Sequence, residues 1–125
     1  MPAILRSGID LIEIDRLENS IKRHGERFLK RIFTAQELVD CGGNVESLSV
    51  RFAAKEAASK ALGCGIGQVS WLEIEVKRNA DHQPELVLHG AARALAKKLK
   101  LTLWSVSLSH THQNAIAMVI ACGEN

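Results

Sequence analysis

The segment RFAAKEAASKALG, Arg51 to Gly63, sets Arg51, Lys55, Glu56, Ser59 and Lys60 among alanines. On a helix, at about 100° per residue, Arg51, Lys55 and Ser59 share a narrow arc, and Glu56 and Lys60 lie about 100° further round. Ala53, Ala54, Ala57, Ala58 and Ala61 fill the opposite side, where small side chains let a sheet come close. Glu56 and Lys60 alone would make an ordinary i, i+4 pair, worth about 0.2–0.5 kcal/mol on a solvated face. Two features point past that: Phe52 interrupts the polar arc, and Gly63-Cys64-Gly65-Ile66-Gly67 follows at once. A glycine loop of backbone N–H groups beside an arginine and two lysines is a phosphate cradle by its chemistry.

Asp10, in GIDLIEIDR, sits between Ile9 and Leu11, where a strand is expected to end, so it must face solvent or find a partner. Paired in space with Glu56, it would form a carboxylate couple that, with phosphate oxygens and waters, suits octahedral Mg²⁺. A third stretch, SVSLSHTH, closes a strand on Ser109 and His110. Neighbouring strand side chains point to opposite faces, so those two are not a nucleophile and its base. His24, His82, His89 and His112 have no metal-ligand spacing among themselves.

AILRSGIDL predicts a strand to about Leu11, with a helix soon after. Leu17, Ile21, Phe28 and Leu29 recur near a helical period from Arg16 to about Lys30, with a break expected near Gly25. Thr34 and Glu37 have capping-box spacing for a short helix. The alanine helix is expected to begin at Ser47 to Ser49 and to stop at the glycine loop. WLEIEVKRN and PELVLHG alternate about a turn from Asn79 to Pro84 and predict an antiparallel hairpin. AARALAKKLK predicts a short helix, and LTLWSVSLSHTH and AIAMVIACG two further strands.

The chain of 125 residues, 46% apolar, is long enough for one domain over residues 1–125 and too short for two. With three Phe, two Trp and no Tyr, its core must be mostly aliphatic. An α+β fold, a mostly antiparallel sheet packed against helices, suits that composition. Cys41, Cys64 and Cys122 are odd in number and widely spaced, which disfavours a disulfide framework or a zinc site and points to a cytoplasmic location. No apolar run is long enough for a membrane span. The net charge of +2 and the scarcity of aromatics disfavour nucleic acid as a partner. Charge is nevertheless uneven: from Arg16 to Arg31, six basic residues face two acidic ones, a balance of +4.

GIDLIEIDR (Gly8 to Arg16), RFAAKEAASKALGCGIG (Arg51 to Gly67) and SLSHT (Ser107 to Thr111), in this order and at these separations, closely resemble the motifs of the small phosphopantetheinyl transferases that act as holo-[acyl-carrier-protein] synthases. The resemblance spans nearly the whole chain. It implies transfer of the 4′-phosphopantetheine arm from coenzyme A to a serine of apo acyl carrier protein, with Mg²⁺ required and adenosine 3′,5′-bisphosphate released. It also implies Asp10 and Glu56 as metal ligands and Lys60 beside the diphosphate. Arg51, Gly63, Gly65 and His110 fall on positions that help to hold coenzyme A. The acidic carrier would be steered by Arg16, Lys22, Arg23, Arg27 and Lys30. The family is similar in forming homotrimers with the site between subunits, so that Asp10 and Glu56 of one copy meet His110 of another. This chain departs from the family pattern at His82-Gln83, where Gly-Lys is common, and at Asn114, where an aromatic is usual.

Two readings from other classes compete. A non-catalytic basic-helix module binding an acidic partner would account for Arg16 to Arg31 and leave Asp10, Glu56 and the glycine loop without a task. A metal-dependent phosphohydrolase would share the Mg²⁺ site and need no carrier. The resemblance assigns nothing to Lys55.

Overall fold

The structure, a computed structural model, describes residues 3–125. The elements run β1 (Ala3–Glu13), α1 (Ile14–Ile32), α2 (Ala35–Cys41), α3 (Val45–Ala61), a 3₁₀ turn (Trp71–Glu73), β2 (Ile74–Arg78), β3 (Pro84–Leu88), α4 (Gly90–Lys98), β4 (Leu103–His110) and β5 (Asn114–Glu124). An antiparallel sheet is ordered β1-β5-β4, and β2 and β3 form the expected hairpin. The α+β class read from the sequence is the one found.

Helix α3 lies on one face of the larger sheet. Its alanines 53, 54, 57, 58 and 61 and the facing Ala117, Val119 and Ala121 of β5 are all fully buried in one cluster. Methyl against methyl brings the helix axis unusually near the strands. Gly8 of β1 carries this to contact, since a Cβ there would lie 1.8 Å from the Ala57 carbonyl oxygen.

Thr34 and Glu37 form the capping box, with the Thr34 N–H donating to Glu37 at 2.8 Å. Gly25 breaks α1, with φ 62° and ψ −145°. His82, where a glycine is common in the family, takes φ 60°; histidine is among the side chains that tolerate that region, so the departure is accommodated.

Three boundaries moved. β1 continues through Glu13 because its ladder with β5 runs on to the Glu13–Asn114 pair, so Asp10 lies within the strand, opposite Ala117, and not at its end. Helix α3 starts at Val45 because the Asn44 side chain accepts from the Ser47 N–H at 2.8 Å. Trp71–Glu73, expected as strand, is a 3₁₀ turn.

The opposite face of the sheet is bare and apolar. Ile9, Met118 and Ser107 form one cross-strand row, Leu11, Ile116 and Ser109 the next, and Leu5, Cys122 and Leu103 a third. Leu5 is 72% exposed and Leu103 68%, a surface that a monomer rarely leaves open.

Candidate active site

Gly8 and Asp10 alternate onto the same face of β1, the face that α3 covers. The close contact at Gly8 therefore delivers Asp10 to the next turn of the helix, where Glu56 and Lys60 emerge. The Lys60 ammonium donates to the Ile9 carbonyl at 2.8 Å and pairs with Asp10 Oδ1 at 3.2 Å. Burial pushes the Glu56 carboxyl above its usual range, the Asp10 charge adds to the rise, and Lys60 opposes it. The three residues thus occupy one locality although Asp10 lies 50 positions from Lys60 in sequence.

Of the polar arc expected on α3, only part reaches solvent. Arg51, Lys55 and Ser59 are buried, while Phe52, Glu56 and Lys60 open along one i, i+4 stripe. The arc reading failed because α1, α2 and β2 also pack around α3, covering sides that its own periodicity leaves free. Lys55 pairs with Glu37 at 2.8 Å, both side chains fully buried.

Arg51 is 3% exposed, and no carboxylate pairs with it among the described residues. One of its terminal nitrogens donates to the Ser47 carbonyl at 3.3 Å, and its Nε has no partner. It lies nine residues from Lys60, about 13 Å along the helix axis. His110 is also apart from the carboxylates: it is exposed at the end of β4, opposite Ala115, with Nδ1 3.2 Å from the Thr111 carbonyl oxygen. Ala115 in turn packs with Val50, next to Arg51. One chain therefore carries Asp10, Glu56 and Lys60 in one place, with Arg51 and His110 each apart from them.

The glycine loop does not form the expected cradle of free N–H groups. Gly63 N–H donates to the Lys60 carbonyl at 2.9 Å, and those of Cys64 and Gly65 donate to Ser59 at 3.1 and 3.3 Å. They close the C-terminus of α3, whose carbonyls carry negative partial charge. What Gly63 and Gly65 offer is the left-handed backbone, φ 76° and 70°, that this closure requires. Sequence reasoning passed over Arg6, whose guanidinium lies 3.2 Å from where a Gly63 side chain would begin, on the sheet face shared with Asp10. The only signal available was its even spacing from Gly8 and Asp10 along the strand.

The basic positions Arg16, Lys22, Arg23, Arg27 and Lys30 are exposed on α1. Lys22 and Lys30 pair with Glu18 and Glu26 at 3.9 and 3.6 Å. Arg16, Arg23 and Arg27 have no such partner among the described residues. Arg16 borders a cleft of about 570 Å³ walled by Leu11, Ile12, Leu17, Phe28 and Phe52, with Asn114 at its edge. That cleft begins one residue beyond Asp10.

The donor set suits a hard, oxygen-ligated divalent cation. Among the described residues no group of three or more His, Cys, Asp or Glu side chains converges on a metal-sized site. Two carboxylates with room for phosphate oxygens and water match the way Mg²⁺ is held on nucleotides and diphosphates.

Residues 6–119 match the 4′-phosphopantetheinyl transferase superfamily. A holo-[acyl-carrier-protein] synthase of Herpetosiphon aurantiacus is 47% identical over 96% of this chain and 100% of its own length. That of Moorella thermoacetica is 48% identical over 94% and 93%. Among solved structures, the Helicobacter pylori holo-[acyl-carrier-protein] synthase in complex with coenzyme A superimposes with a TM-score of 0.85 at 34% identity, covering 92% of this chain and 98% of that one. The Bacillus anthracis enzyme in complex with CoA (3′,5′-ADP) gives 0.80 at 33%, covering 98% and 100%.

Proposed function

Since the chain belongs to the holo-[acyl-carrier-protein] synthases of the 4′-phosphopantetheinyl transferase superfamily, we propose that Asp10, Glu56 and Lys60 form the centre at which it works. The chain transfers 4′-phosphopantetheine from coenzyme A to a serine of apo acyl carrier protein and releases adenosine 3′,5′-bisphosphate. The observation that carries the site assignment is the meeting of Lys60 with Asp10 at 3.2 Å, beside a Glu56 carboxyl that burial first and that same aspartate second push up.

Asp10 and Glu56 would hold Mg²⁺ jointly with diphosphate oxygens. Bound there, the ion supplies positive charge where displacement at the β-phosphorus builds negative charge. The Lys60 ammonium, half-exposed and anchored by the Ile9 carbonyl, is held where it can meet a diphosphate oxygen without losing its footing. The nucleophile is the carrier's serine, whose proton would pass to a water or to the Glu56 carboxylate as its oxygen bonds the β-phosphorus and adenosine 3′,5′-bisphosphate leaves, so the chain supplies no nucleophile of its own.

Arg51 and His110 supply the anion contacts for the rest of coenzyme A. A buried guanidinium with an unsatisfied Nε is costly unless an anion completes it. Because His110 is separate from Asp10, Glu56 and Lys60 within one chain, the full site assembles between copies, and the apolar sheet face of Ile9, Leu11, Ile116 and Met118 is the surface that joins three of them. The carrier docks on α1 through Arg16, Arg23 and Arg27, with Lys22 contributing, and lays its apolar contact in the cleft lined by Phe28 and Phe52. A binding-only role for α1, or hydrolysis without a carrier, would leave either the carboxylate pair or the basic helix idle.

A cytoplasmic location fits the three free thiols, Cys41, Cys64 and Cys122. Among the described residues no helix is long and apolar enough to cross a membrane.

The test is incubation with coenzyme A, Mg²⁺ and apo acyl carrier protein, followed by mass spectrometry of the carrier. A gain of one phosphopantetheine arm, dependent on Mg²⁺ and lost in Glu56→Gln and Lys60→Met, is expected. Full activity with Mg²⁺ chelated would remove the metal assignment.

A further inference from the structure

The motif RFAAKEAASKALG leaves Lys55 unexplained, and its surroundings are unusual. The ammonium is fully buried beside an equally buried Glu37 carboxylate at 2.8 Å. It also donates to the carbonyl oxygens of Trp71 at 3.0 Å and Ile74 at 2.5 Å. Three donors thus meet three acceptors, which satisfies the group completely. Glu37 in turn accepts from the N–H groups of Thr34 and Val76, at 2.8 and 2.9 Å. One ion pair therefore ties α2, α3, β2 and the 3₁₀ turn together. Burial pushes the Lys55 ammonium below the ordinary lysine range, while Glu37 holds it up.

Stability alone is a poor reason for such a pair, because apolar residues of similar volume in its place are often neutral or stabilising. What the pair does that apolar residues cannot is fix a backbone at defined points. One of those points is the carbonyl of Trp71, whose ring stacks on Phe52 with centroids 4.7 Å apart and planes at 30°. Phe52 lines the cleft with Arg16, Leu17 and Phe28. The Lys55 ammonium also lies 5.8 Å from the centre of the Phe33 ring, within the cluster that floors this cleft.

We propose that the buried Lys55–Glu37 pair is a positioning device for carrier recognition: it pins the Trp71 main chain, and through the Trp71–Phe52 stack sets the wall of the carrier cleft. The proposal rests on the reading of that cleft as the carrier's docking site. Lys55 touches neither substrate and acts only through Trp71 and Phe52. Its signature is consequently a change in recognition of one substrate and not the other.

The experiment compares the native enzyme with the double variant Lys55→Met/Glu37→Met, which removes both charges at once, and with Trp71→Leu, which keeps the pair and removes the stack. Thermal midpoints and separate KM values for apo carrier protein and coenzyme A are measured. The double variant is expected to melt lower than the native enzyme, because it strands the Thr34 and Val76 N–H groups and the Trp71 and Ile74 carbonyls, and to show a carrier KM raised about tenfold, with the coenzyme A KM within about twofold. Trp71→Leu is expected to give the same split, and decides the matter should the double variant fail to fold. A native carrier KM in a folded double variant, or in Trp71→Leu, overturns the proposal. Phe52→Ala separates the two levels: if it raises the carrier KM while the double variant does not, the positioning role alone falls. If neither raises it, the cleft reading falls as well.

Discussion

Gly8 of β1 and the Ala57 carbonyl of α3 are in backbone contact, so close that a Cβ on the glycine would fall 1.8 Å from that oxygen. This contact sets the distance between the strand bearing Asp10 and the helix bearing Glu56 and Lys60. Gly8→Ala must push β1 from α3, and the expected loss is about 1–3 kcal/mol or more, typical of overpacking. Activity should fall further than stability does, because Asp10 moves with the strand. Denaturant unfolding and turnover, measured together, check this; native turnover in a folded Gly8→Ala would break the link between contact and site.

Glu56 is raised by burial first and by Asp10 second. A carboxyl raised in the folded state favours folding in its neutral form, and that contribution is lost as pH rises through its folded pKa. In metal-free buffer at neutral pH, Glu56→Gln should therefore melt higher than the native chain, with the gain vanishing below the ordinary glutamate range. Turnover should fall by about 10²–10³, the scale of losing one electrostatic stabiliser. Melting curves across pH, beside transfer assays, test both halves.

Lys22 and Lys30 already face Glu18 and Glu26, whereas Arg16, Arg23 and Arg27 have no such partner among the described residues. Reversing Arg23 or Arg27 to Glu should raise the carrier KM about tenfold, with the difference shrinking at high salt. Lys30→Ala should change it by less than about twofold, since an exposed pair of this kind is worth little. Equal effects at all positions would refute a docking surface centred on the arginines.

Met118 is 46% exposed at the middle of the apolar sheet face, opposite Ile9 and Ser107. If the proposed shared site is right, Met118→Lys should yield monomers by light scattering and abolish transfer, because His110 of one copy would no longer reach Asp10 and Glu56 of another. A fully active monomer would overturn the shared site.

Signals confined to a few neighbouring residues were legible in advance. Thr34 and Glu37 cap as their spacing predicts, Gly25 breaks α1, and β2 and β3 pair about the Asn79 turn. Asp10, Glu56 and Lys60 were also legible, as residue types and motifs, though nothing in the chain's order shows that they meet. β1 outran its predicted end because a strand's length is set by its ladder, and the partner of Glu13 lies a hundred residues away at Asn114.

Lys55 and Lys60 show where sequence stops. They are the same residue type, five positions apart on one helix, and the wheel places both among polar neighbours. One is sealed against Glu37, Trp71 and Ile74; the other is half-exposed at Asp10. Residue order places charges of both signs on an alanine helix beside a strand carrying Asp10. Which of them faces the site and which is sealed into the frame follows from packing, since a helical period describes a helix's own surface, whereas burial depends on what other elements bring to each side of it.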